Sequence, residues 1–258
     1  MITDDALRKA IEEALGEPVT QAGLAALTEL HADKRGIYSL AGLDQAIHLA
    51  HLSLVDNEIE NITPLARLTE LETLYLDRNA CFDLSPLAGL VNLRRLSLGG
   101  FWVDEDVGTL TLEAFGPAWG PAITNVAPLA RLTNLTELHI QNHAIRDIKP
   151  LARLRRLTQL TLNGYRGGGP IRDFSPLCNL AQLERLVLCS NKISDISALK
   201  CLERLAWLDL RINEIRDIEP LLALPKLRHL NPCKNPLSEH ARKEQIPQLR
   251  KQGVRVLW

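Results

Sequence analysis

Glu29, His31 and His51 bring two imidazoles and a carboxylate into a short stretch, the donor types of a transition-metal site. Their spacing matches no recognised ligand pattern, and histidines on a polar sheet surface are ordinarily just polar residues. No metal site is expected. Cys189, Cys233 and His229 are the raw material of a thiol nucleophile. A reactive cysteine needs an adjacent base, and the repeat described below sets the two thiols two strands apart with His229 at the far end of its own strand. Tyr75, Ser97 and His139 occupy equivalent positions, but no carboxylate is placed to orient the imidazole as a triad requires. Gly167-Gly168-Gly169 lacks the lysine and the helix pattern of a phosphate-binding loop. The chain therefore carries no catalytic residue that its own pattern supports, and no cofactor is expected.

A second grouping suits binding. The chain has only four Trp, three Tyr and four Phe, yet Phe101, Trp102, Phe115 and Trp119 fall within one short stretch, beside Asp104, Glu105 and Asp106. Aromatic side chains bury much area at modest entropic cost and serve well as interface anchors. The bland alternative is that they pack a long loop onto the body of the protein.

The elements that must position these residues follow from a repeat. Leu49, Leu52, Leu54, Asn57, Ile59, Ile62, Pro64, Leu65 and Leu68 recur 22 residues later as Leu71, Leu74, Leu76, Asn79, Cys81, Leu84, Pro86, Leu87 and Leu90. The same frame begins at Leu27, Leu93, Leu135, Leu157, Leu183, Leu205 and Leu227, which makes nine units. In Leu-x-x-Leu-x-Leu the neighbours of each inward leucine point the other way, as in a strand. The following Asn can turn the chain and bond backbone groups of adjacent turns. Asp-Ile-x-Pro-Leu, as at Asp217–Leu221, begins a short helical turn on the opposite side, where proline costs no hydrogen bond.

Each unit leaves apolar surface at both ends of the stack, so caps are required. Residues 3–15 read as an amphipathic helix that Thr3 can cap, with Leu7, Ala10, Ile11, Ala14 and Leu15 on one face. Asn235-Pro-Leu-Ser leads into a polar helix, and Ile246-Pro-Gln-Leu precedes a last strand from Val254. The expected organisation is an N-terminal helical cap over 1–26, nine repeats over 27–232 and a C-terminal cap over 233–258.

The 22-residue unit with Asp-Ile-x-Pro-Leu, together with both caps, resembles the bacterial leucine-rich repeats of the internalin-like type over essentially the whole chain. That resemblance implies an α/β fold, a curved right-handed leucine-rich-repeat solenoid with a concave parallel sheet and short helical turns on the convex side. It implies recognition of a partner protein on the concave face. It carries over no catalytic residue.

The units serve as references for one another. Asn holds the turn position at Asn57, Asn79, Asn191, Asn213 and Asn235, but Arg35 replaces it in the first unit and Phe101, His143 and Tyr165 replace it in three consecutive units. Two of these three also carry insertions, near 104–122 and within 166–170. Both insertions leave on the same edge, about 10 Å apart at the usual strand spacing. Rule-breaking in an otherwise regular array is where function is expected. The expected partner-binding surface comprises Phe101, Trp102, Phe115, Trp119, Tyr165 and Arg166 and extends onto Arg95, His139 and Gln141. Tyr75, Trp207 and Arg211 are further outward-facing candidates, with Trp207 open to shielding by Arg185 or Arg211.

Thirty basic and 31 acidic residues leave a formal charge of -1, which gives no general attraction to nucleic acid or anionic membrane. The five cysteines are odd in number and without framework spacing, so disulfides are expected to be absent and all five thiols free. No signal peptide or apolar spanning run is seen. The expectation is a monomeric, reduced, cytoplasmic chain, or an effector delivered to a host cell, that binds another protein. The alternative is a carbohydrate or small ligand stacked on the aromatic loop. The strand phase is testable at one pair of neighbours. Leu138→Ala should cost about 2–5 kcal/mol by opening a cavity, and His139→Ala less than about 0.5 kcal/mol, in chemical denaturation. Equal losses would invert the phase.

Overall fold

The computed structural model describes residues 2–99, 123–164, 171 and 173–257. The chain divides into two compact units, Met1–Leu135 and Thr136–Trp258. The fold class is that of a leucine-rich-repeat solenoid.

The first unit opens with helix α1 (Asp5–Leu15) and helix α2 (Gln21–Ala26), followed by β1 (Glu29–His31), β2 (His51–Ser53), β3 (Thr73–Tyr75) and β4 (Arg95–Leu98). These strands pair in parallel and in sequence order, with Glu29, His51, Thr73 and Arg95 in register. The second unit holds β5 (Glu137–His143), β6 (Gln159–Gly164), β7 (Arg185–Val187), β8 (Trp207–Asp209) and β9 (His229–Asn231), then helix α3 (Ile246–Lys251) and β10 (Arg255–Val256). They too pair in parallel and in order, and β10 closes the row on β9.

Inward leucines fill both units. Leu52, Leu74 and Leu96 in the first, and Leu138, Leu160, Leu186, Leu208 and Leu230 in the second, are each at most 1 % exposed. Opposite the strands run short 3-10 turns: Thr63–Arg67, Ser85–Gly89 and Ala127–Arg131 in the first unit, and Lys149–Arg153, Ser175–Asn179, Ser197–Cys201 and Glu219–Ala223 in the second. An Asx side chain begins each one. Asn61, Asp83, Asn125, Asp147, Asp173, Asp195 and Asp217 accept from the backbone N–H two residues on, at 2.8–2.9 Å. That bond satisfies a donor that the first turn of a helix leaves without a partner.

The turn asparagines join successive rungs. Asn213 donates to Leu188 O of the preceding rung and Leu210 O of its own, and its Oδ1 accepts from Asn191 N and Ile193 N. Asn57, Asn79, Asn191 and Asn235 repeat the donor half of the pattern. The residue before each Asn takes a left-handed backbone, including the β-branched Ile212 at φ 56°. Where His143 and Tyr165 replace Asn, the strands run on. β5 and β6 extend to seven and six residues instead of three. Gly164 ends β6 against the next rung, where a Cβ would come 2.4 Å from Ser190 O. Packing against a neighbouring rung therefore demands this glycine.

Each end is stitched by one buried polar side chain. The N-cap of α1 is Asp4, one residue later than Thr3. Asp4 Oδ1 accepts from Leu7 N, and Oδ2 reaches across to Tyr38 N and Ser39 N. Burial alone would raise this carboxyl, but those N–H donors and that of Ala6 outweigh it and hold its pKa below the ordinary value. At the other end Gln245 accepts from Ile218 N and donates to Asp217.

The expectation of five free thiols is overturned. Cys178 and Cys201 form a disulfide with Cα atoms 5.4 Å apart. They lie 23 residues apart on stacked 3-10 turns, so one repeat plus one residue places them side by side. Cys81, Cys189 and Cys233 are free, and Cys81 is buried as its apolar repeat position requires. Thiol titration of the unfolded, unreduced protein should therefore count three groups and rise to five after reduction. Five before reduction would remove the bridge.

Candidate functional site

The outward face of the strands is polar in both units, and the structure shows which of its groups are already engaged. In the first unit His31 Nε2 lies 2.6 Å from Glu29 Oε1, so the pair satisfies itself on the surface. Ser53 Oγ donates to Asp33 Oδ1 at 2.6 Å, and Ser97 Oγ donates to Asp77 Oδ1 at 2.7 Å. Each pair joins neighbouring rungs. Asp77 is fully buried and its Oδ2 has no hydrogen-bond partner. Burial pushes its carboxyl up to about 6, with further repulsion from Asp33, while the Ser97 bond pulls the other way. Tyr75 is half-buried and in register with Ser97; Arg95 is exposed two residues earlier on β4.

In the second unit His139 Nδ1 lies 2.9 Å from Thr161 Oγ1 on the next strand, and Gln141 pairs in register with Asn163. Three strands on, the Arg185 guanidinium sits 3.9 Å over the Trp207 ring. The shielding of Trp207 by Arg185 is thus present, although Trp207 remains half-exposed. Arg211 grips Asp209 through Nε at 2.7 Å and Nη2 at 2.6 Å. Asp209 is 1 % exposed, so its charge is met inside the protein. Cys189, beside this pair, is buried, and burial foremost pushes its thiol well above the ordinary value. A thiol held protonated is a poor nucleophile.

His139 and Gln141 share β5, whereas Trp207 and Arg211 belong to the rung of β8. Phe101, Trp102, Phe115, Trp119, Tyr165 and Arg166, with the insertions at 104–122 and 166–170, lie outside the described residues. The Asp–Ser pairs escaped the reading of the sequence. Their signal is the spacing of 20 residues shared by Asp33–Ser53 and Asp77–Ser97, which is one rung less two strand positions.

Among solved structures, the chain is similar to internalin C2 of Listeria monocytogenes, with 32 % identity over 91 % of this chain and 92 % of that one, at a TM-score of 0.70. It is similar to a second internalin of that organism, inlF, with 26 % identity over 98 % of this chain and 74 % of that one, at a TM-score of 0.73. A leucine-rich-repeat protein of Leptospira interrogans shares the fold, at 16 % identity over 83 % of this chain and 62 % of that one, with a TM-score of 0.55. No protein-family model matches the chain, and no curated protein does.

Asp77 supplies a stability test that is independent of any ligand. Its raised pKa means that the folded chain binds this proton more tightly than the unfolded one. Stability should therefore fall as pH rises from about 4 to about 6 and stay low above. Asp77→Asn keeps the acceptor for Ser97 and removes the buried charge. It should stabilise the protein at pH 7.5 by about 2 kcal/mol and flatten this part of the profile in thermal melts. A destabilised Asp77→Asn at that pH would show that the ionised carboxylate is needed.

Proposed function

Because the chain belongs to the internalin-like family of leucine-rich-repeat proteins, we propose that it is a non-catalytic module that binds another protein. The binding surface is the outward sheet face together with the two inserted segments. One observation carries this reading. Inward leucines and Asx caps recur rung after rung, and turn asparagines in five of the nine, while the outward positions change residue type at nearly every rung. The scaffold does not require that variation, and a recognition surface does. Glu29 is engaged with His31, and Asp209 with Arg211, on this face.

On sequence grounds the surface includes Phe101, Trp102, Phe115, Trp119, Tyr165 and Arg166, and extends onto Arg95, Tyr75, His139 and Gln141, with Trp207 and Arg211 further along. The partner is a protein rather than nucleic acid or membrane, and the chain acts as a monomer. The near-neutral net charge gives no general attraction to nucleic acid or an anionic membrane surface, and no helix among the described residues is long and apolar enough to cross a membrane. The Cys178–Cys201 bridge favours an oxidising compartment over the cytoplasm.

Affinity capture with the full chain as bait, beside a version lacking 104–122, tests the reading. The full chain should retain a protein that the shortened one loses. Alanine at an exposed anchor should weaken that complex by more than about 1 kcal/mol with the melting temperature unchanged. Arg67→Ala and Arg153→Ala, on the opposite side, should do neither. Loop variants that unfold the protein yet bind normally when folded would make the insertion a structural plug.

A further inference from the structure

We infer that the edge of the first unit carrying Tyr38, Glu60 and Phe82 receives a basic segment of the partner protein, an inference that rests on the protein-binding reading and extends its surface beyond the sheet face. Where the chain leaves the sheet, alternate residues still point inward. Ile37, Ile59 and Cys81 are buried, and the residues that follow them, Tyr38, Glu60 and Phe82, are exposed. The three hold one repeat position, 22 residues apart. Glu58 N donates to Ile37 O at 2.8 Å and Ala80 N to Ile59 O at 3.0 Å, so successive rungs are joined here as they are in the sheet. At that spacing the two rings stand about 10 Å apart with Glu60 between them. Asn57 Oδ1 and Asn79 Oδ1 accept from Ile37 N and Ile59 N, which fixes the backbone beneath before a partner arrives.

The fold does not ask for aromatic residues at this position. In the second unit it is held by Arg146, Ser194 and Arg216. Tyr38 is nevertheless 63 % exposed and Phe82 39 %, although burying such a ring is among the larger gains open to a folded chain. Large apolar side chains exposed together and rimmed by charge mark a contact surface.

The charge around the rings selects the occupant. Glu58, Glu60 and Asp83 are all exposed on this edge. Of the cations beside them, Arg35 is held by Glu13 through bonds of 2.6 and 3.1 Å, and Arg78 Nη1 lies 3.3 Å from Asp56 Oδ2. Among the described residues of the edge, that leaves Lys34 against three carboxylates. Asp83 accepts from Ser85 N and Ser85 Oγ, and these bonds hold its carboxyl below the ordinary value and ionised. A partner lysine or arginine lays its aliphatic stem and its charge against a ring while a carboxylate meets its head. About three extended residues carry the partner from one ring to the other, where an apolar side chain completes the contact. A neutral oligosaccharide gains nothing from the unbalanced charge, and a nucleic-acid backbone is repelled by it.

Panning a random peptide library displayed on phage against the full chain, after depletion on a variant carrying both Tyr38→Ala and Phe82→Ala, tests the inference. The enriched peptides should place Lys or Arg beside a large apolar residue. A synthetic copy should lose affinity about tenfold or more with Phe82→Ala, and again with Glu60→Lys, at an unchanged melting temperature. Arg146→Ala, at the same repeat position of the second unit, should have no effect. Enriched peptides without a basic residue, peptides indifferent to Glu60→Lys, or no enrichment after depletion would each overturn the inference. So would a glycan on an oligosaccharide array that needs both rings and ignores Glu60→Lys, or a dimer of the chain in sedimentation that Tyr38→Ala dissolves. The protein-binding reading is decided separately, by the capture with and without 104–122.

Discussion

The side-chain amide of the turn asparagine is the interaction on which the rest of each unit depends. A strand three residues long ends almost as soon as it begins, and its backbone groups must find partners where the chain leaves the sheet. Asn57 and Asn213 each supply two donor bonds and two acceptor bonds that span adjacent rungs. Reaching that geometry forces a left-handed residue just before the Asn, a conformation that costs about 1–2 kcal/mol for a side chain such as Ile212. The chain accepts the strain because a buried polar backbone left unpaired costs as much or more.

That arrangement separates two jobs. The inward leucines and the Asn side chains hold rung to rung, while Asx side chains begin the turns opposite. The outward strand positions are largely released from structural duty and change residue type from rung to rung. Exceptions are visible and local. Ser53, Ser97 and Thr161 are outward by pattern yet buried, because neighbouring carboxylates or imidazoles bond to them. The stack cannot continue past its ends, and single buried polar groups close it there. Asp4 binds the first helix to the Tyr38 and Ser39 backbone, and Gln245 binds the last helical segment to Ile218 and Asp217.

Much of this was legible in the residues. The 22-residue period set the inward leucines, the strands and the turns, because a solenoid buries the same positions in every rung. The N-cap was misplaced by one residue, since Thr3 and Asp4 are both good caps and only the reach to Tyr38 distinguishes them. The disulfide was missed because its cysteines stand one repeat plus one residue apart, a relation that only stacking makes close. The loss of Asn at His143 and Tyr165 was read as a mark of function. Within the strands it has a structural consequence, the lengthening of β5 and β6, which a period count does not reveal. Trp207 was legible as an outward aromatic. That Arg185 lies over it, and that Arg211 is occupied by Asp209, depended on side-chain placement across and along strands.

The central claim is that scaffold and recognition lie on opposite sides of each rung. Hydrogen exchange, measured on the chain alone and with its captured partner, tests it most directly. The account predicts that binding slows exchange in the strands and in the segments that leave them, with the turns around Leu65, Leu151 and Leu199 unchanged. Slowing confined to those turns, with the strands unaffected, would contradict it.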